Sequence, residues 1–153
     1  MRVSEFRVPP VVVFLMVGAV MWVTARSAPA LGFVMPARLP GAAILTTVGV
    51  VIALLGVASF RRAGTTVDPL HPEAASTLVV SGIYGRTRNP IYLGLLLVLI
   101  GWAVYLANAL SFVLPAAFVP LMNRLQILAE ERVLAAKFGE DFAAYRAKVR
   151  RWL

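Results

Sequence analysis

The feature that most constrains this chain is a run of about 35 residues between Arg88 and Arg124 with no Asp, Glu, Lys, Arg or His. Wound as one straight helix at ~1.5 Å per residue it would reach roughly 52 Å, well past the ~30 Å hydrocarbon core of a bilayer. Two shorter helices turning at Ala107-Asn108 fit better. Such a hairpin returns the chain to the side it left, so the residues around Arg88 meet those after Arg124 at one membrane face.

Hydrophobic residues make up 60% of the 153, against ~45–50% in soluble domains, which predicts one polytopic membrane domain over 1–153. Four apolar stretches stand out, at 8–25, 41–60, 91–106 and 109–122. The first two have spanning length; the last two are short, and Pro115 and Pro120 predict a kinked or tilted fourth helix. The expected fold is all-α with about four transmembrane helices. Two N-terminal spans occupy 1–60, a cytoplasmic loop 61–90, the helical hairpin 91–123, and cytoplasmic C-terminal helices 124–153. Ala28-Pro29-Ala30 imitates a signal-peptide cleavage site, but the first stretch is long enough to span and three more follow, so it reads as an uncleaved span.

With the N-terminus in the cytoplasm, all but Arg26 and Arg38 of the 15 Lys and Arg residues fall inside, as the positive-inside bias requires. Both termini are then cytoplasmic, and the expected location is a bacterial inner membrane. The net charge of +8 sits beside apolar segments rather than along an aromatic-laced stripe. Anionic lipid headgroups explain it, and nucleic acid is not expected as a partner. The absence of cysteine excludes disulfides, thiolate ligands and a cysteine nucleophile. The one histidine, His71 near Asp68 and Glu73, lacks a second nitrogen or sulfur ligand, so no metal is expected. Gly49, Ala53, Gly56, Gly94 and Gly101 read as close helix packing in lipid, and such faces would also allow a homodimer.

The segment 61–86 is broken by Gly64, Pro69, Pro72 and Gly82, which predicts little regular structure. After Arg124 the chain becomes amphipathic, with Leu125, Leu128, Val133, Leu134 and Phe138 among charges, until Gly139 interrupts it before Phe142 and Tyr145. Two helices against the membrane face are expected there. Asn89-Pro90 reads as a helix start, with Asn as N-cap and Pro at the first helical position. Arg86 and Arg88 suit anchors at phosphate level. Glu130 has Gln126 one turn before it as an i,i+4 partner, and Tyr84, Tyr92, Trp102 and Tyr105 suit interfacial belts.

Taken together, Gly82-x-Tyr84, Arg88-Asn89-Pro90-x-Tyr92-x-Gly94, Glu130-Glu131-x-x-Leu134-x-x-x-Phe138-Gly139 and Tyr145 resemble the isoprenylcysteine carboxyl methyltransferase and phospholipid methyltransferase family of membrane enzymes. With the Gly64-Thr65 loop entry, the resemblance runs over 61–152. It implies methyl transfer from S-adenosylmethionine to a lipophilic, membrane-resident acceptor, with the cofactor between the Arg-(His/Asn)-Pro motif and the Glu-Glu helix. Arg124 matches an arginine that precedes the Glu pair in the family. Two positions depart: Asn89 stands where the eukaryotic branch has His, and Phe142 where the family often has Tyr. Prenylcysteine chemistry is therefore not carried over, and a prenylated acid, an amine headgroup and a lipophilic thiol all stay open as acceptors.

Each part of that cofactor calls for a different residue. Arg88 suits the carboxylate, and Glu130 or Glu131 the ammonium or ribose. Tyr84, Tyr92, Phe138 or Tyr145 can stack on adenine, and Asn89 is a further contact. Arg124 lies seven residues before Glu131, two turns along one helix face, so the two could flank the acceptor headgroup. Glu131 is the candidate base should the acceptor be an amine or thiol. The loop 61–86 could cover the cofactor through Thr65 and Thr66. Sterol reductases share the C-terminal architecture but use a nicotinamide cofactor, whose extra phosphate would call on Arg146, Arg150 and Arg151. A non-catalytic lipid-binding protein of the same shape is the third reading.

Overall fold

The computed structural model describes residues 8–65 and 74–153. Helix α1 covers Pro10–Ser27, α2 Arg38–Arg62, α3 Pro90–Leu106 and α4 Ala109–Met122, with α5 over Leu128–Lys148. Among the described residues there is no strand, only one antiparallel bridge between Gly32 and Asn108. Helices α1 and α2 are long and apolar enough to cross a membrane, as is the continuous stretch Ala109–Lys148, while α3 is shorter. The fold is the expected all-α, polytopic one.

The hairpin turns where the uncharged run predicts. Ala107 takes the left-handed conformation that ends α3, and Asn108 caps α4 by accepting the Leu110 amide at 3.1 Å. The other end of the same side chain donates to the Ala28 carbonyl at 2.9 Å, fastening the hairpin tip to the end of α1. Asn108 is 2% exposed, so both bonds are sheltered from water. Asn108→Ala should cost about 1–2 kcal/mol, seen as a lower melting temperature in detergent with the helical content of the native state unchanged.

Helix α3 is the centre of the bundle, with α2 on one side and α1 and α4 on the other. Its contact with α2 is backbone to backbone. A Cβ at Gly49 would stand 2.6 Å from the Gly94 carbonyl oxygen, and one at Gly101 would stand 2.7 Å from the Thr46 hydroxyl. Small residues allow such an approach where lipid offers no hydrophobic drive between helices. These glycines pack α2 against α3 within one chain. On the other side Met21, Leu99, Ala103, Phe118 and Met122 form a core with almost no exposed surface.

On the C-terminal side the chain stays helical through 123. Helix α4 runs through Pro115 and Pro120 and enters a π-helical turn, Asn123–Ile127, that leads without a break into α5. The expected interruption at Gly139 is present: its φ of +48° and ψ of −119° split α5 into two helices. In the polar loop, Gly82–Gly85 forms a single 3-10 turn. Of the described residues before it, Ala75 and Val79 are buried, whereas Ala74, Ser76, Thr77 and Val80 are exposed. Thr66, Asp68, His71 and Glu73 lie outside the described residues.

Candidate functional site

The ends of α1, α2 and α3 converge with α5 and the segment before the 3-10 turn around a cavity of about 290 Å³, near the lower limit of the ~300–1,000 Å³ usual for small-molecule sites. Val11, Val57, Ile91, Leu95 and Leu134 make its apolar wall; Tyr84, Arg88, Asn89, Tyr92, Glu130, Glu131 and Tyr145 bring the polar groups. A second cavity lies among α1, α2 and α3, and its lining, with Trp22, Thr46 and Trp102, carries no charge. The ionisable chemistry is therefore gathered in the first. The turn at Ala107-Asn108 accounts for this, because it makes α4 bring Glu130 and Glu131 back to the level of Arg88.

Glu131 is 8% exposed and holds two arginines. Arg88 Nη2 lies 3.2 Å from its Oε1, while Arg151 grips it with two bonds, Nε to Oε1 at 3.0 Å and Nη2 to Oε2 at 2.7 Å. The Nε and Nη1 atoms of Arg88 are buried and have no protein partner. Burial pushes the Arg88 guanidinium below its ordinary pKa, and the Glu131 charge opposes that. The hydrogen bond to Glu131 raises that of Arg151. A buried arginine with unsatisfied donors at a cavity wall offers preformed N–H donors to an anion.

Glu130 accepts hydrogen bonds from the Tyr92 hydroxyl and from Gln126 Nε2 at 3.1 Å, the latter being the expected i,i+4 pair. The Tyr145 hydroxyl donates to the Tyr84 carbonyl at 2.8 Å, joining α5 to the 3-10 turn. Burial raises the pKa of the Tyr84 phenol. Tyr84 also meets Phe60 edge-on, with ring centroids 5.2 Å apart. Tyr145→Phe should lower stability by about 1 kcal/mol, detectable as a small drop in melting temperature.

Three sequence expectations change here. Asn89 occupies the N-cap position of α3 but makes no side-chain cap. Its Nδ2 donates instead to the Arg151 carbonyl at 2.9 Å, because the C-terminal segment lies across it. Arg124 is exposed and does not line the cavity; it lies within the π turn, which changes the rotation of ~100° per residue on which the shared face depended. Phe138 does not line the cavity, whereas Phe142 does, alongside Ala75, Thr77 and Val79 from the loop. Thr65 serves that loop by accepting the Ser76 amide at 2.9 Å.

The partnership of Arg151 with Glu131 escaped sequence reasoning altogether. The two are separated by the Gly139 break, across which helical spacing predicts no contact.

Comparison with known proteins identifies relatives of the chain. The sequence profile of the phospholipid methyltransferase family matches residues 37–141, starting earlier than the motif resemblance and ending before Tyr145. Probable protein-S-isoprenylcysteine O-methyltransferases from both subspecies of Oryza sativa are 34% identical over 109 residues, which are 69% of this chain and 56% of theirs. The protein-S-isoprenylcysteine O-methyltransferase of Schizosaccharomyces pombe is 33% identical over 72 residues, 47% of this chain and 30% of that one. An uncharacterized Haemophilus influenzae protein is 43% identical over its full length of 63 residues, 41% of this chain. The chain thus spans about half the length of the rice enzymes. With a profile match over most of its length, bracketing Arg88, Glu130 and Glu131, the chain belongs to the phospholipid methyltransferase family of membrane enzymes.

Proposed function

We propose that the protein transfers a methyl group from S-adenosylmethionine to a lipophilic acceptor drawn from the bilayer. The observation that carries this reading is Arg88: two buried donors without a partner, at an apolar cavity that also holds two carboxylates. The residues suit the cofactor. Arg88 can take its carboxylate, Glu130 offers a carboxylate to its ammonium or ribose, and Tyr84, Tyr92 or Tyr145 can lie on adenine. When bound, the cofactor supplies an electrophilic methyl on a sulfonium.

The protein's part is alignment and exclusion of water. The walls from α1, α2 and α3 keep the cavity apolar and put it within reach of a chain dissolved in the membrane. Asn89 acts through the C-terminal segment rather than on a ligand. Glu131, with both oxygens on guanidinium groups, is a holder of Arg88 rather than a proton acceptor. An acceptor that needs no proton removed, such as a carboxylate, therefore suits the site best. The same reading places the cavity end, and both termini, at the cytoplasmic face of a bacterial inner membrane, because the positive residues cluster there. The reductase alternative loses one of its phosphate-binding arginines, since Arg151 is engaged by Glu131.

Incubation of purified protein with methyl-labelled S-adenosylmethionine and a bacterial membrane lipid extract tests this. Label should enter the organic phase, and Arg88→Ala should reduce it by at least about tenfold, the worth of a charge-assisted contact. An unlabelled organic phase with folded wild-type protein would overturn the proposal.

A further inference from the structure

The C-terminal residues 149–153 are tied to the site by their backbone as well as their side chains. The Arg88 amide donates to the Arg150 carbonyl at 3.0 Å. The Arg151 carbonyl accepts from Asn89 Nδ2 at 2.9 Å and from the Thr87 hydroxyl at 3.3 Å. Trp152 Nε1 donates to Asn123 Oδ1 at 3.1 Å, at the start of the π turn. The segment is therefore a strap over the Arg88 loop, fixed at both ends. It lies beyond the span matched by the family profile.

The strap also sets the charge of the site. One carboxylate, Glu131, is shared by Arg88 and Arg151, and the trio carries a net positive charge. Arg151 takes both oxygens of Glu131, which leaves Arg88 a single contact through Nη2 and keeps its Nε and Nη1 unfilled. Without Arg151, Glu131 would be free to turn wholly onto Arg88 as a one-to-one pair. The positive charge and the donors offered to a ligand would both fall.

We infer that the strap is part of the ligand site, with Arg151 as a positioning residue that acts through Glu131 to hold Arg88 ready for a carboxylate-bearing ligand. This rests on the reading of the cavity as an S-adenosylmethionine site, and its consequence is selective. Arg151 should matter for the amino-acid end of the ligand and not for its adenine end.

Calorimetric titration with two ligands reads this directly: S-adenosylhomocysteine, which has the carboxylate, and methylthioadenosine, which lacks it. Arg151→Gln should weaken S-adenosylhomocysteine by at least about tenfold, the effect of one charge-assisted contact, and leave methylthioadenosine unchanged. Arg151→Lys should recover part of the loss. Equal weakening of both ligands would mean that the strap serves only the fold, and no weakening would mean that Arg151 is not needed; either overturns the inference while the cofactor reading stands. A folded wild type that binds neither ligand would remove the cofactor reading, and the inference with it.

Discussion

Replacement of Glu131 by alanine should be among the most damaging changes this chain can suffer, lowering stability by about 3–5 kcal/mol. The carboxylate neutralises Arg88, whose side chain is 11% exposed, and anchors Arg151 through two bonds. Alanine would leave the Arg88 charge buried with no counter-ion and would release the C-terminal strap. A large fall in melting temperature in detergent is expected, together with faster amide exchange at Arg88, whose N–H is bonded to the strap. Glu131→Gln should be milder, because the amide keeps one hydrogen-bond acceptor. A Glu131→Ala protein that melts with the wild type would show that the ion cluster is not what holds α5 to the Arg88 loop.

The second large effect is expected at Gly94. A Cβ there would fall on the Gly49 carbonyl oxygen and come within 2.8 Å of Ala53 Cβ, with the Ala53 amide nitrogen at 2.9 Å. None of these atoms can move without shifting α2 as a body. Overpacking in a core costs about 1–3 kcal/mol where side chains can adjust. With backbone on the other side, Gly94→Val should exceed that range and reduce the yield of folded protein sharply. Gly139→Ala is the informative contrast, since nothing lies within 4 Å of a Cβ at Gly139 and only its φ of +48° resists. Equal yields from Gly94→Val and wild type would contradict the close α2–α3 contact.

Much of this architecture is legible in the residues because each feature has a local cause. The uncharged run fixes the hairpin, Ala107-Asn108 fixes its turn, and Gly139 fixes the bend in α5. Tyr84, Arg88, Tyr92, Glu130, Glu131 and Tyr145 meet at one cavity because the hairpin places the two motifs at the same height. What stayed hidden depends on longer-range geometry. The π turn at Asn123–Ile127 has no sequence signature of its own, and it alters the regular helical spacing by which Arg124 and Glu131 would share a face. The diversion of Asn89 from capping to the strap needs the Arg151 carbonyl nearby, which only the tertiary fold supplies. The loop wall at Ala75 and Val79 was similarly obscured, since segments rich in breakers read as open chain although these two side chains are buried.

We propose that Arg88 and Glu131 build a site for S-adenosylmethionine. Calorimetric titration of S-adenosylmethionine into the detergent-purified wild type and Arg88→Gln proteins tests it most directly. Saturable binding to the wild type is expected, with at least about tenfold weaker binding to Arg88→Gln, whose amide cannot match a charge-assisted contact. Equal affinity in the two folded proteins would contradict it, because the buried donors of Arg88 would then have no part in holding the ligand.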